Sequence, residues 1–278
     1  MKKILIPTDF SENAWASLVY AVKLFEKVDC TFYLLHTTIL NSTSITGYST
    51  DKLNKEKEKS IKELDDLKQE AENINLNTNH TFQTVLSYYH LDQAINFTVE
   101  KHNIDLTIIG TKGATNTKEK FLGSNTTRVL KNIKSCPTIL VPDEYYFEGI
   151  DEIALLTDLK HTMDSTLLNP LKELLESNNS RTTILRISSI DNLSEEEEVE
   201  LNSIQSILTP HKTEYKGIGY SFYKDEVINK FIEINSIDML VLTYYKQSFL
   251  SKLFNNQSLT TTISQNPIIP MLILPNKK

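Results

Sequence analysis

The residues of this 278-residue chain best placed to do chemistry run from Gly110 to Thr126, GTKGATNTKEKFLGSNT. The chain holds only 7 glycines, and Gly110, Gly113 and Gly123 all fall in this stretch. Glycine belongs where the backbone needs a positive φ or where something must approach it closely. The short β-branched run Leu106–Ile109 precedes the stretch and predicts a buried strand. After Gly123-Ser124, Val129, Leu130 and Ile133 recur at helical spacing. The order is strand, glycine-bounded loop, then a helix opening at Gly-Ser. The free N–H groups of such a helix start, beside the Ser and Thr hydroxyls, suit an anion.

Charge points the same way. Between Thr111 and Lys134 the cations are Lys112, Lys118, Lys120, Arg128, Lys131 and Lys134, against the single anion Glu119. The whole chain carries a formal charge of -7, so this cluster is a local exception. It favours a polyanion such as a nucleotide phosphate. A solvated surface loop is the alternative that charge alone leaves open.

The glycine spacing is Gly-x2-Gly-x9-Gly-Ser, unlike the dinucleotide motif Gly-x-Gly-x-x-Gly or the P-loop, neither of which occurs. With its strand, loop and helix context it resembles the nucleotide-binding members of the universal stress protein family. That resemblance implies an adenine nucleotide, ATP or another, with Mg as a candidate companion ion. The phosphates would lie on Gly110, Thr111, Gly113, Gly123, Ser124, Asn125 and Thr126. Asn125 departs from the small apolar residue common there in the family.

The elements that must position this loop follow from the start of the chain. Lys3-Ile-Leu-Ile-Pro7 predicts a strand stopping at Pro7, with Ser11 as a helix N-cap and Glu12 in the first turn. Trp15, Leu18, Val19, Val22 and Phe25 give that helix its apolar face. The resemblance places an Asp at this strand end beneath the adenosine, so Pro7, Thr8 and Asp9 are candidates; Asp9 could equally cap the turn. Thr31–His36 is the second strand, and the resemblance puts Thr37 and Thr38 in the adenine pocket. His36, with no partner ligand at metal spacing, reads as a structural residue. A charged amphipathic helix over 50–73, a strand over 81–86, a helix over 91–102 and a strand over 137–142 complete the unit. Strands alternating with helices imply a parallel, doubly wound sheet, with ligands at the carboxyl ends of its strands.

The second half repeats the first. Ile153–Asp158 mirrors Ile4–Asp9, Thr183–Ile187 mirrors the second strand, and Asp238–Thr243 mirrors Asp105–Gly110. The expected fold is α/β: two tandem, five-stranded, mostly parallel Rossmann-like sheets of the adenine-nucleotide α-hydrolase type. Their expected domains are 1–145 and 150–278. In gapless register Thr243 replaces Gly110, Lys246 replaces Gly113, Asn256 replaces Gly123 and Gln257 replaces Ser124. Side chains there would obstruct a phosphate, so the second copy reads as a degenerate, non-binding partner. The family's habit of pairing last strands implies that Thr138–Val141 and Ile268–Ile273 join inside the chain as a pseudo-dimer, with further homodimerisation through other surfaces left open.

Composition bounds the rest. No apolar run reaches the ~18 residues of a membrane span, and Lys2-Lys3-Ile-Leu-Ile-Pro7 is too short for a signal peptide. Cys30 and Cys136 read as reduced core residues, which together imply a cytoplasmic protein. Net acidity argues against nucleic-acid binding. Signatures of Ser-His-Asp hydrolases, zincins and Cys-x2-Cys sites are missing. Asp158-x2-His161-x2-Asp164 is expected in the first turn of a helix, as solvated capping residues rather than a metal site. Two functions stay open. One is an ATP-binding stress-response protein, non-catalytic or weakly hydrolytic, with an unidentified protein partner. The other is a nucleotide-free scaffold acting through protein contacts.

Overall fold

The computed structural model describes residues 1–38, 50–111, 124–132, 136–143, 145–188, 192–219, 224–244 and 268–275. Gly113, Gly123, Lys246, Asn256 and Gln257 lie outside them, as does the side chain of Ser124.

In the first half the order is β1 (Lys2–Thr8), α1 (Glu12–Leu24), β2 (Cys30–Thr37), α2 (Thr50–Ile74), β3 (Thr81–Ser87), α3 (Leu91–His102), β4 (Leu106–Gly110), α4 (Ser124–Asn132) and β5 (Thr138–Val141). The second half continues with β6 (Glu152–Thr157), α5 (Ser165–Asn178), β7 (Arg181–Ser188), α6 (Glu195–Leu208), β8 (Thr213–Gly219), α7 (Lys224–Asn235), β9 (Met239–Tyr244) and β10 (Met271–Pro275). All strands lie in one sheet, ordered β3-β2-β1-β4-β5-β10-β9-β6-β7-β8. Neighbours within each half run parallel. At the centre β10 runs antiparallel to β5, with Leu272 opposite Ile139. The two expected sheets are therefore fused through their last strands. β5 and β10 are apolar and buried, and unpaired they would be two exposed edges.

Helices cover both faces of the sheet, and each face has its own core. Ile4, Ile6, Phe32 and Leu34 point to the side of α1, α2, α5 and α6. Leu5, Tyr33 and Leu35 point to the side of α3, α4 and α7. Alternate residues of a strand face opposite ways, so a strand buried on both faces must be apolar throughout. Both cores continue across the β5–β10 seam. The connection between the halves is held there by Tyr145 and Phe147, edge-on to the ring of Tyr20 at 5.9 and 5.4 Å.

Three boundaries depart from the sequence reading. β1 runs through Pro7 to Thr8, because the fixed φ of Pro is compatible with an extended strand. β10 begins at Met271 rather than Ile268: Pro270 has no N–H to give the ladder, and its carbonyl accepts from the Leu240 N–H at 3.0 Å. Asp158 and His161 precede α5 and only Asp164 touches it, as the N-cap accepting from the Leu167 N–H at 2.8 Å.

Candidate functional site

The strand order reverses between β1 and β4, whose carboxyl ends are Thr8 and Gly110. A crevice opens at such a switch point, because the connections leave it in opposite directions. Asp9 and Thr111 flank it. Beyond Thr8 the chain turns sharply into α1. The Thr8 hydroxyl accepts from the Phe10 N–H at 3.0 Å, and Phe10 sits at φ 61. Asp9 Oδ1 accepts from the Ser11 N–H at 3.2 Å and from the Ser11 hydroxyl at 2.6 Å. Ser11 Oγ in turn caps α1, accepting from the Ala14 N–H at 3.2 Å. The same turn recurs in the second half, with Thr157 accepting from the Leu159 N–H at 3.0 Å and Asp158 from the Lys160 N–H at 3.1 Å. Leu159 too is left-handed, at φ 57. The repeated Thr-Asp thus has a local cause: its side chains hold a bulky residue in backbone space it otherwise avoids.

At the end of β2, opposite Thr8 in the ladder, His36 donates Nδ1–H to the Thr8 carbonyl at 2.9 Å. That bond fixes the tautomer, since a carbonyl only accepts. The ring of Phe10 lies 4.5 Å from that of His36. Thr37 is half-buried beside it, and Thr38 shares a 2.9 Å hydroxyl contact with the buried Ser60 of α2. Pro7 is buried within β1.

Across the switch point, Thr111 is buried with its N–H on the Val141 carbonyl at 3.0 Å. Thr126 is buried in the first turn of α4, and its hydroxyl donates to the Gly110 carbonyl at 3.0 Å. Asn125 is exposed beside it. A Cβ added at Gly110 would lie 2.1 Å from Asn13 Oδ1 and 3.0 Å from Ser17 Oγ. Gly110 is thus kept small by α1, whose buried Asn13 occupies the space a side chain would need.

A cleft of about 230 Å³ opens on the α1–α2 side, lined by Thr8, Phe10, Ser11, Trp15, Glu63, Asp66, Leu67 and Glu70. Of the expected site residues it holds only Thr8. Three carboxylates make it hostile to phosphate, whereas α4 carries Arg128 and Lys131. Sequence reasoning missed Phe10 and Ser60 here and set His36 aside. The ladder partner of Thr8 is readable only once the β1–β2 register is known.

In the second half a cleft of about 280 Å³ opens in the corresponding place, lined by Leu159, His161, Ser194, Glu197 and Glu200 among others. Ile4 pairs Leu106 and Ile153 pairs Met239, so strand register itself puts Thr243 in the position of Gly110. Asn13 has no equivalent obstacle there, because the residue two beyond the Asp164 N-cap is the exposed Thr166. By the same register Arg186 takes the place of His36. Its Nη2 donates to both carboxylate oxygens of Glu197, at 2.9 and 3.0 Å, with side chains 4% and 9% exposed. Burial would push the Glu197 carboxyl up, but the Ser194 N–H and the Arg186 guanidinium outweigh it and hold its pKa below the ordinary range. Glu200 accepts from the Met163 N–H at 2.7 Å, and burial raises its pKa.

Among the described residues no group of His, Cys, Asp or Glu is arranged to hold a metal, and no helix is long and apolar enough to cross a membrane. Cys30 and Cys136 are buried free thiols, pushed up to about 12 and about 11 by burial.

A family model described as the universal stress protein family matches residues 1–142, the half with the intact glycines. Universal stress protein MJ0577 of Methanocaldococcus jannaschii is 31% identical over 159 residues, covering 50% of this chain and 93% of its own. A universal stress protein from Archaeoglobus fulgidus DSM 4304 covers 99% of this chain and 96% of its own, at 15% identity and a TM-score of 0.72. PA1789 of Pseudomonas aeruginosa PAO1, a protein of unknown function, covers 100% and 93%, at 14% identity and a TM-score of 0.62. Those two likenesses speak to the fold of the whole chain.

Proposed function

The chain belongs to the universal stress protein family, and on that premise we propose that its first half binds one adenine nucleotide, ATP in the first instance. The protein acts in the cytoplasm as a stress-response binding protein rather than a catalyst of turnover. The observation that carries this is the segment spanning the switch point: β4 ends at Gly110, α4 opens at Ser124, and the second half lacks the glycine and serine set between them.

The residues present fit the group. The first-turn N–H groups of α4 suit phosphate, with the exposed Asn125 beside them and Arg128 and Lys131 on the same helix. Asp9, Thr37 and Thr38 lie on the other side of the crevice, where an uncharged nucleoside avoids repulsion from the acidic cleft. Bound ATP supplies ligand charge for Mg; the chain contributes no metal cluster among the described residues. The reading without nucleotide has its own support. Gly110 and Thr126 both have packing roles that need no ligand.

Calorimetric titration with Mg-ATP distinguishes the two. One site per chain is expected, abolished by Gly123→Val and unchanged by Asn256→Val. Ser124→Ala should weaken it roughly tenfold, the share of one hydroxyl bonded to a charged group. Two equivalent sites, or parental affinity in Gly123→Val, would overturn the proposal.

A further inference from the structure

The sheet has two outer edges, β3 and β8, and they are unlike. β8 carries Glu214 and Lys216, the kind of charges that discourage another strand from adding. β3 is Thr81-Phe-Gln-Thr-Val-Leu-Ser87, with no charge and no proline. The Ser87 carbonyl accepts from the Thr38 N–H on the β2 side, so by alternation Phe82, Thr84 and Leu86 present their backbone N–H and C=O groups outward.

Exposed apolar side chains stand before and after this strand. Five of the exposed large hydrophobics among the described residues stand near its two ends: Ile74 and Leu76 before β3, and Tyr88, Tyr89 and Phe97 after it. Leu76 is 79% exposed and Tyr89 59%, the latter 6.3 Å from the ring of Phe97. Single exposed apolar residues are ordinary, but a group bracketing an uncharged edge is not.

We propose that β3 is a docking edge for a second copy of this chain, joined antiparallel about a two-fold axis through Thr84. The occupant follows from complementarity. In that arrangement the start of one β3 lies beside the end of the other, so Ile74 and Leu76 of each copy meet Tyr88 and Tyr89 of its mate. A C2 interface must be self-complementary, and in a chain of net charge -7 an uncharged strip is where two copies meet without repulsion. Thr84 is exposed, the middle residue of β3, and sits opposite itself. Pairing makes one continuous sheet across both copies, leaving the charged β8 edges outermost.

Sedimentation equilibrium on the full chain tests this. The parent is expected at twice the chain mass. Thr84→Lys and Thr84→Glu, each facing its own charge across the axis, should sediment as monomers with unchanged far-ultraviolet circular dichroism. An equimolar mixture of the two variants should regain the dimer. Tyr89→Ser, outside the strand, should weaken the parental dimer several-fold. A monomeric parent at micromolar concentration, as expected if the edge instead takes an extended peptide of another protein, would overturn the proposal. So would a dimer that survives both charged variants, or a mixture that stays monomeric.

Discussion

Gly110→Ala separates packing from ligand approach. The added methyl would lie 2.1 Å from Asn13 Oδ1, 2.8 Å from its Cγ and 3.0 Å from Ser17 Oγ, all inside ordinary contact. Gly110 has no left-handed φ, so the whole cost is steric. Neither neighbour yields easily. Asn13 is buried with Nδ2 toward Asp143 Oδ1 at 3.5 Å, and the buried Ser17 donates to the Asn13 carbonyl at 2.8 Å. Overpacking of this kind costs about 1–3 kcal/mol. For a chain of this size each kcal/mol lowers Tm by roughly 2–4 °C. Urea unfolding of Gly110→Ala, Asn13→Ala and the double variant measures the coupling. Removing the Asn13 amide should relieve most of the penalty, a coupling of about 1–2 kcal/mol for groups in contact. Parental stability in Gly110→Ala, or an equal penalty with and without Asn13, would refute the steric account. If the double variant folds like the parent yet loses the thermal shift with Mg-ATP, Gly110 also meets the ligand.

Arg186→Met leaves Glu197 buried without its cation and should destabilise by about 3 kcal/mol, while Arg186→Met with Glu197→Leu should recover most of it, both read by urea unfolding. Ser11→Ala removes the α1 cap and should cost about 1 kcal/mol. The two buried acids of the second half act oppositely with pH. Glu200 is raised in the fold, so its contribution is present below its ordinary value of 4.5 and lost as pH rises through the folded pKa. Glu197 is lowered, so its contribution is present above 4.5 and lost as pH falls through its folded pKa. Glu200→Gln still accepts from the Met163 N–H; it should raise stability at neutral pH and flatten the decline from mildly acid to neutral. An unchanged profile would contradict the assignment.

The amino-acid sequence determined the strand and helix order, because apolar period and turn chemistry act within a few residues. The apolar run Leu106–Ile109 already implied a buried strand, and the alternation of strands with helices a sheet covered on both faces. The internal repeat was legible from Thr8-Asp9 and Thr157-Asp158, whose side chains build the same local turn. The replacement of Gly110 by Thr243 at the equivalent position was legible too. Tertiary structure decided what depends on residues far apart in the chain. The family resemblance had implied that the last strands join; the antiparallel sense and register of β5 and β10, which make the two sheets one, came from the fold. Strand register put His36 beside Thr8 and Arg186 in the same place of the second half. The helix α1 gave Gly110 a packing reason, because Asn13 fills the space its side chain would need. A sequence pattern records which residues are small, charged or apolar; whether a glycine is small for a phosphate or for an asparagine depends on what the fold packs against it.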